Sequence, residues 1–378
     1  MHRYILLLLV TVAFSAFSAL AQDPNSPNPK ALEALTKGDF PGAIRILDND
    51  IANGKNLYQS YRFRSDVRRM VGDFRGALAD VNKAIELRST DGRLYETRAQ
   101  LRMFTGADPK ETAGDLDLAI SNGVRHEKVY DMRGMIRMHS GDYDGAIADY
   151  QTAIGMRPNF AKAHIGLSSV YKFKEDDAKA TEVLENFLAG VENSNKKIGS
   201  VKGELAAIAT VDVPQRVGKD VKVGQDTVIY KQETNDPGPM TPEAAQRMGD
   251  RLEQSKNTAL AYINLAQLYE KQGQFPKAME TVEKGLARDP SDYFGIGVRG
   301  AIKIGLKDYS GAMADLDTAI RVIQRSADFY GRRGIAYMML GKEAEAEADF
   351  AKFLELAPKG KERLEKLKNA ALADKATQ

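Results

Sequence analysis

Three patterns of apolar and polar positions divide the chain. An apolar run fills Ile5 to about Phe17, a mixed apolar and small-residue unit recurs through most of the remainder, and residues 195–258 break that recurrence. The unit is plainest at Gly141-Asp142-Tyr143-Asp144-Gly145-Ala146-Ile147-Ala148-Asp149-Tyr150-Gln151-Thr152-Ala153-Ile154. Close copies begin at Gly72-Asp73-Phe74 and Lys307-Asp308-Tyr309, and looser ones at Gly38, Gly273 and Gly341. The alanine just after the turn marks the phase at Ala43, Ala77, Ala146, Ala180, Ala278, Ala312 and Ala346, with gaps of 34, or of 69 where one repeat lies between. The 69 is two periods plus one residue, and the extra residue falls in the turn Thr105-Gly106-Ala107-Asp108-Pro109. A period of this length is one helix-turn-helix unit, so the chain is predicted to be all-α.

The pattern resembles the tetratricopeptide repeat family over about 300 of the 378 residues, in eight consecutive or resumed copies. The family's small eighth residue is matched by Gly134, Gly300, Gly334, Ala99, Ala266, Ser65 and Ser168, its small residue in the second helix by Ala84, Ala119, Ala153 and Ala319, and its closing proline by Pro158, Pro290 and Pro358. The resemblance implies a right-handed superhelical solenoid of helix-turn-helix repeats. It falls in two blocks, 24–194 with about five repeats and 259–360 with three, and residues 361–378 form a capping helix and tail. The first copy is atypical, with Pro24, Pro27 and Pro29 at its start and Asp50 in place of the small residue. The copy at 161–194 is degenerate, with Phe187 there and no closing proline.

Comparing copies gives a pairing rule. Arg64, Arg98, Arg133, Arg299 and Arg333 recur at one position, and Asp80, Asp115, Asp149, Asp315 and Asp349 stand 16 or 17 residues later. Copies without the arginine carry Ile46, Val183 and Thr281 at the aspartate position. The expected contact is an ion pair between the two helices of each repeat. Five regular copies along a solenoid do not converge on one catalytic centre, so the pairs are read as structural. Cutting one partner of a buried pair, as in Arg133→Ala, is expected to cost ~3–5 kcal/mol.

The stretch 195–258 is read as an insertion or linker. Val211-Asp212-Val213-Pro214 and Val221 to Tyr230 suggest a small hairpin, and Thr241-Pro242-Glu243 opens a leading helix. A spacer and a partner-contacting element are the two readings of this stretch. Gly295-Ile296-Gly297-Val298-Arg299-Gly300 matches a dinucleotide fingerprint literally, but no strand precedes it and the repeat register already accounts for Gly300.

Charge and composition narrow the function. Lys plus Arg is 54 against 52 for Asp plus Glu, a balance that disfavours nucleic-acid binding. Arg3, the apolar run and Ala19-Leu20-Ala21 read as a signal peptide over residues 1–21, cleaved after Ala21, which predicts export to the periplasm or outside the cell, a bacterial source and no stable membrane insertion. No cysteine is present, so neither disulfides nor thiolate chemistry are expected. His126, His139 and His164 stand at no metal-ligand spacing, and no catalytic residue, metal or cofactor is expected.

In the resembled family the first helices line the concave face where partners bind. The matching positions hold Arg62 and Arg69, Lys162 and Lys172, Met132, Met135, Met138 and His139, and Ile335, Met338 and Met339. Core packing is the alternative reading of the methionines. The Lys/Asn set that clamps a terminal carboxylate in some relatives is missing, with only Asn264 at a suitable place. The expected partner is a segment with apolar anchors and some acidic residues. The function expected is an exported scaffold or adaptor that binds proteins or peptides in the cell envelope and is not an enzyme. The alternatives are a structural subunit of an envelope complex and an enzyme with its site in 195–258.

Overall fold

The computed structural model describes residues 28–209 and 242–376, and every element among them is helical. Helices come in pairs joined by short turns: α1 (Pro29–Thr36) with α2 (Phe40–Ala52), α3 (Leu57–Met70) with α4 (Phe74–Leu87), α5 (Gly92–Thr105) with α6 (Pro109–Ser121), and α7 (Glu127–His139) with α8 (Tyr143–Met156). The series continues with α9 (Ala161–Phe173) and α10 (Asp177–Ala209), α11 (Pro242–Lys271) and α12 (Phe275–Arg288), α13 (Tyr293–Gly305) and α14 (Tyr309–Val322), and α15 (Ala327–Met339) and α16 (Glu343–Leu356). A last helix, α17 (Lys361–Ala376), follows alone. The predicted hairpin at 211–230 lies outside the described residues. On either side of it the structure shows helix, since α10 runs on past residue 194 and α11 begins at Pro242.

The recurring turn follows from two residues. Gly72 and Gly141 adopt φ of +82°, the left-handed conformation in which a helix ends without a Cβ clash. The aspartate that follows starts the next helix: Asp73, Asp142 and Asp308 accept the backbone N–H of Gly76, Gly145 and Gly311 at 2.9–3.0 Å. A Cβ at Gly145 would stand 2.2 Å from an Asp142 carboxylate oxygen, so the cap and the glycine are one motif. The phase-marking alanines after these turns are 0–2% exposed in all seven copies, which places them at the contact between paired helices.

The described residues of Met1–Ser89 and Ala189–Asp250 cluster as one compact unit, and those of Thr90–Leu188 and Arg251–Gln378 as another. In the first, Ala31, Leu35, Ala43, Leu47, Phe63 and Val67 make a core among α1, α2 and α3. Asp50, buried where other copies have a small residue, accepts the Asn28 amide at 2.8 Å.

In the second unit the repeats before and after the insertion are direct neighbours. Lys271 Nζ lies 2.5 Å from Asp177, Gln272 donates to Thr181 at 3.0 Å, and Lys277 Nζ lies 2.9 Å from Glu185, which also accepts the Tyr269 hydroxyl. Leu184, Phe187 and Leu188 of α10 are buried, as are Ala259, Tyr262, Ile263 and Tyr269 of α11. Consecutive first helices touch, α7 against α9 and α13 against α15, which sets them along the inner side of the stack. At its end, α17 packs Leu364 into a core with Ile335, Phe350 and Phe353.

Candidate functional site

Recurring charge is used first in holding repeats together. In each of the five copies the arginine fork meets the aspartate side-on, with Nη2 at 2.5–2.7 Å from Oδ1. The Nε to Oδ2 distances are 2.8–3.0 Å. Asp80, Asp115, Asp149, Asp315 and Asp349 are all buried. Arg64, Arg98, Arg133 and Arg333 also lie over the ring of the tyrosine three residues earlier, 5.3–5.6 Å from its centroid. The small residue next to each arginine brings the helices close enough for this, as where Ser65 Oγ donates to the Ala77 carbonyl at 2.9 Å.

Two further partners were not found from the sequence. A second cation one turn after the arginine shares the same aspartate: Arg68, Arg102 and Arg137 at 2.8–2.9 Å, and Lys303 at 2.8 Å. The remaining arginine nitrogen reaches back to the preceding repeat, from Arg64 to Asp48 at 2.5 Å, Arg133 to Asp117 at 2.6 Å and Arg333 to Asp317 at 2.7 Å. Each of these arginines therefore joins one repeat to the next as well as the two helices of its own. The signal was in the chain, as a cation four residues after each arginine except at Tyr337, and as an aspartate two residues after the paired position.

The inner side of the second unit holds the side chains that packing leaves over. On α7 the buried stripe is Val129, Tyr130, Gly134 and Ile136. Opposite it stand Asp131, Met132, Met135 and Met138, each half-buried. Lys162, a candidate cation of this face, is already neutralised by Glu253 at 2.6 Å. Burial and the neighbouring Lys271 lower the pKa of Lys172, against the pull of Asp177. Among the described residues, the Asp131 carboxylate on this face has no hydrogen bond or ion pair, and the sequence reading passed over it.

Toward the C-terminal end the inner side is filled from within. Met338 and Met339 pack partly against the core that Leu364 completes. Arg332 of α15 is half-buried between Glu270 of α11, at 2.8 Å, and Asp328 of its own helix, at 3.0 Å. A cavity of about 150 Å³ remains among Glu270, Ala301, Ile304, Arg332, Ile335 and the α17 residues Leu367 and Ala371.

The other candidate residues are engaged locally or lie on the first unit. Arg62 is half-buried and Arg69 is exposed on α3 of the first unit, with Arg69 3.6 Å from Asp66. Asn264 donates to the Leu260 carbonyl of its own helix. His126 caps α7 and lies 3.2 Å from Glu96, His139 bonds the Met135 carbonyl, and His164 stacks on Phe187. The stretch Gly295–Gly300 is interior to α13 and forms no phosphate loop; a Cβ at Gly297 would stand 2.3 Å from the Phe329 ring. Among the described residues no three His, Asp or Glu side chains form a metal cage, and no helix is long and apolar enough to cross a membrane.

With stacked helix pairs, turn geometry and inter-repeat pairs in place, the fold is that of a helix-turn-helix repeat solenoid. Family models of the tetratricopeptide repeat match residues 127–160, 259–292 and 327–359, which correspond to α7–α8, the repeat portion of α11–α12, and α15–α16. RNA polymerase II-associated protein 3 of Mus musculus is 33% identical over 129 residues, 34% of this chain and 19% of that protein. Hsp70-Hsp90 organizing protein 3 of Arabidopsis thaliana is 30% identical over 88 residues, 23% of this chain and 16% of that one. The chain thus spans about a fifth or less of the length of these curated relatives. The crystal structure of a tetratricopeptide repeat protein from Parabacteroides merdae shares the fold, with a TM-score of 0.51, 15% identity, and coverage of 84% of this chain and 99% of that one.

Proposed function

We propose that the protein is an exported scaffold that holds other proteins or peptides on the inner face of its second unit and catalyses no reaction itself. The observation that carries this reading is the row Met132, Met135 and Met138, half-buried on the inner side of α7 where regular packing leaves side chains unused. Unbranched, polarizable methionines suit a surface that accommodates apolar anchors of varied shape. The likeness of part of the chain to a protein named for organizing two chaperones supports a role in binding proteins. Export rests on residues 1–21, and nucleic acids, metals and cofactors have no part in the proposal.

The test is affinity capture from the exported fraction with the full-length chain and with Met135→Glu and Met138→Glu. Loss of the captured proteins in variants that melt like the parent supports the inner face, and unchanged capture sinks it. Mass analysis of the exported protein should give Gln22 as its first residue; an intact Met1 in that fraction overturns the signal peptide.

A further inference from the structure

On α7, Lys128, Asp131, Met135 and Met138 fall on one stripe, at spacings of three and four residues. We propose that this stripe receives a lysine or arginine side chain of a partner polypeptide, with Asp131 as its counter-charge and Met135 and Met138 seating the apolar residues beside it. The inference rests on the inner-face reading and names the chemistry of the partner.

Most of the neighbouring charges are already engaged, Lys128 being the exception on the same stripe. Arg133 is held by Asp149 and Asp117, Arg157 by Glu127, Lys174 by Asp144, Lys162 by Glu253, and Glu96 by His126. Asp131 stands without such a partner on a half-buried stretch of the face. Tyr150 of α8 closes the floor beside it. Its ring, 2% exposed, threads between two glycines, 3.2 Å from where a Cβ of Gly134 would stand and 2.4 Å from one on Gly166.

The groups whose charges act with Asp131 are Lys162 from α9 and Tyr150 from α8, and Lys128 stands one turn earlier on α7. Burial, with the charges of Asp131 and Asp149, raises the Tyr150 pKa, so its hydroxyl stays neutral. Burial pushes the Asp131 carboxyl up to about 6, against the pull of Lys162. A carboxylate that has lost part of its water and feels only the pull of Lys162, itself paired with Glu253, is relieved when a partner brings a cation into contact. One carboxylate without companion ligands suits an ammonium or guanidinium on a polypeptide and makes no metal cage. The sign is opposite to that of a clamp for a terminal carboxylate, which needs lysines where this face presents an acid.

The test uses the full chain and three labelled amphipathic peptides, identical except for a central lysine, norleucine or glutamate between leucines, with affinity read by fluorescence anisotropy. The lysine peptide is expected to bind about tenfold tighter than the norleucine peptide near pH 7.5, with the margin narrowing near pH 5 as Asp131 takes up a proton. Asp131→Asn should abolish the margin, and Asp131→Lys should transfer the preference to the glutamate peptide. A lysine preference that survives in Asp131→Asn, or equal affinity for the three peptides, overturns the inference. If that equal affinity disappears in Met135→Glu, the inner-face reading stands without the cation. Binding of none of the three overturns the inference as well.

Discussion

At the scale of residues, the structure turns one expectation about the arginine–aspartate pairs into a contrast. A cost of ~3–5 kcal/mol for Arg133→Ala assumes that Asp149 is left alone in the interior. Arg137 remains 2.9 Å from Asp149 in that variant, whereas Asp349 has Arg333 as its cation and Tyr337 where the second would stand. Arg333→Ala is therefore expected to destabilise by ~3–5 kcal/mol and Arg133→Ala by only ~1–3 kcal/mol, measured by urea unfolding. Equal losses would remove the second cation from the account. Asp131 gives a prediction of opposite sign. Its folded pKa of about 6 lies above the ordinary carboxylate range, so the folded state is penalised above that pH and recovers as pH falls toward 4. Asp131→Asn should raise stability near pH 7.5 by ~1–2 kcal/mol, a figure discounted for partial exposure, and the gain should fade by about pH 4. A gain that is independent of pH would count against burial as its cause. The paired arginines were legible because copies within one chain act as their own alignment. Asp131 was not, since a residue that differs from its counterparts leaves no recurring trace, and its surroundings include Tyr150 and Lys162 from two other helices.

At the scale of elements, the helix pairs were legible because what starts and stops them is local: a left-handed glycine, an aspartate cap, and an alanine three residues into the next turn. The same rule singles out the copies that break it. Lys307 and Glu175 occupy the glycine position with φ of +63° and +59°, a conformation that costs a side-chain-bearing residue ~1–2 kcal/mol. Part of that cost is recovered from the lower freedom of the unfolded chain. Lys307→Gly is expected to stabilise by about 0.5–1 kcal/mol, read as a rise in the thermal midpoint without change in helix content. A fall in the midpoint would show that Lys307 makes a contact worth more than the strain. The start of α11 was legible in Thr241-Pro242-Glu243, since the helix begins at Pro242. The extension of α10 past residue 194 was not, because it lies beyond the repeat signature, where no turn signal and no phase marker fixes an end.

At the scale of the molecule, the break in the sequence is not a break in the packing of the second unit. Residues 90–188 and 251–378 belong to one compact unit although the chain leaves it between them. Asp177, Thr181 and Glu185 are bonded across to Lys271, Gln272, Tyr269 and Lys277, and Leu184, Phe187 and Leu188 on one side and Tyr262, Ile263 and Tyr269 on the other are buried. A sequence read in order assigns these halves to separate blocks, because proximity across 64 residues leaves no periodic signal. If the interface is as continuous as any between adjacent repeats, the covalent link through 210–241 is dispensable once the unit has folded. A protease site introduced at Gly224 should then be cleaved to give two fragments that co-elute in size exclusion and melt in one transition near that of the intact protein. Substituting Tyr269→Ala in the cleaved protein, which removes the ring between Glu185 and Lys277, should weaken the complex and separate the fragments at low concentration. Fragments that part on cleavage without that substitution would mean that the two blocks are held together by the chain and not by their packing.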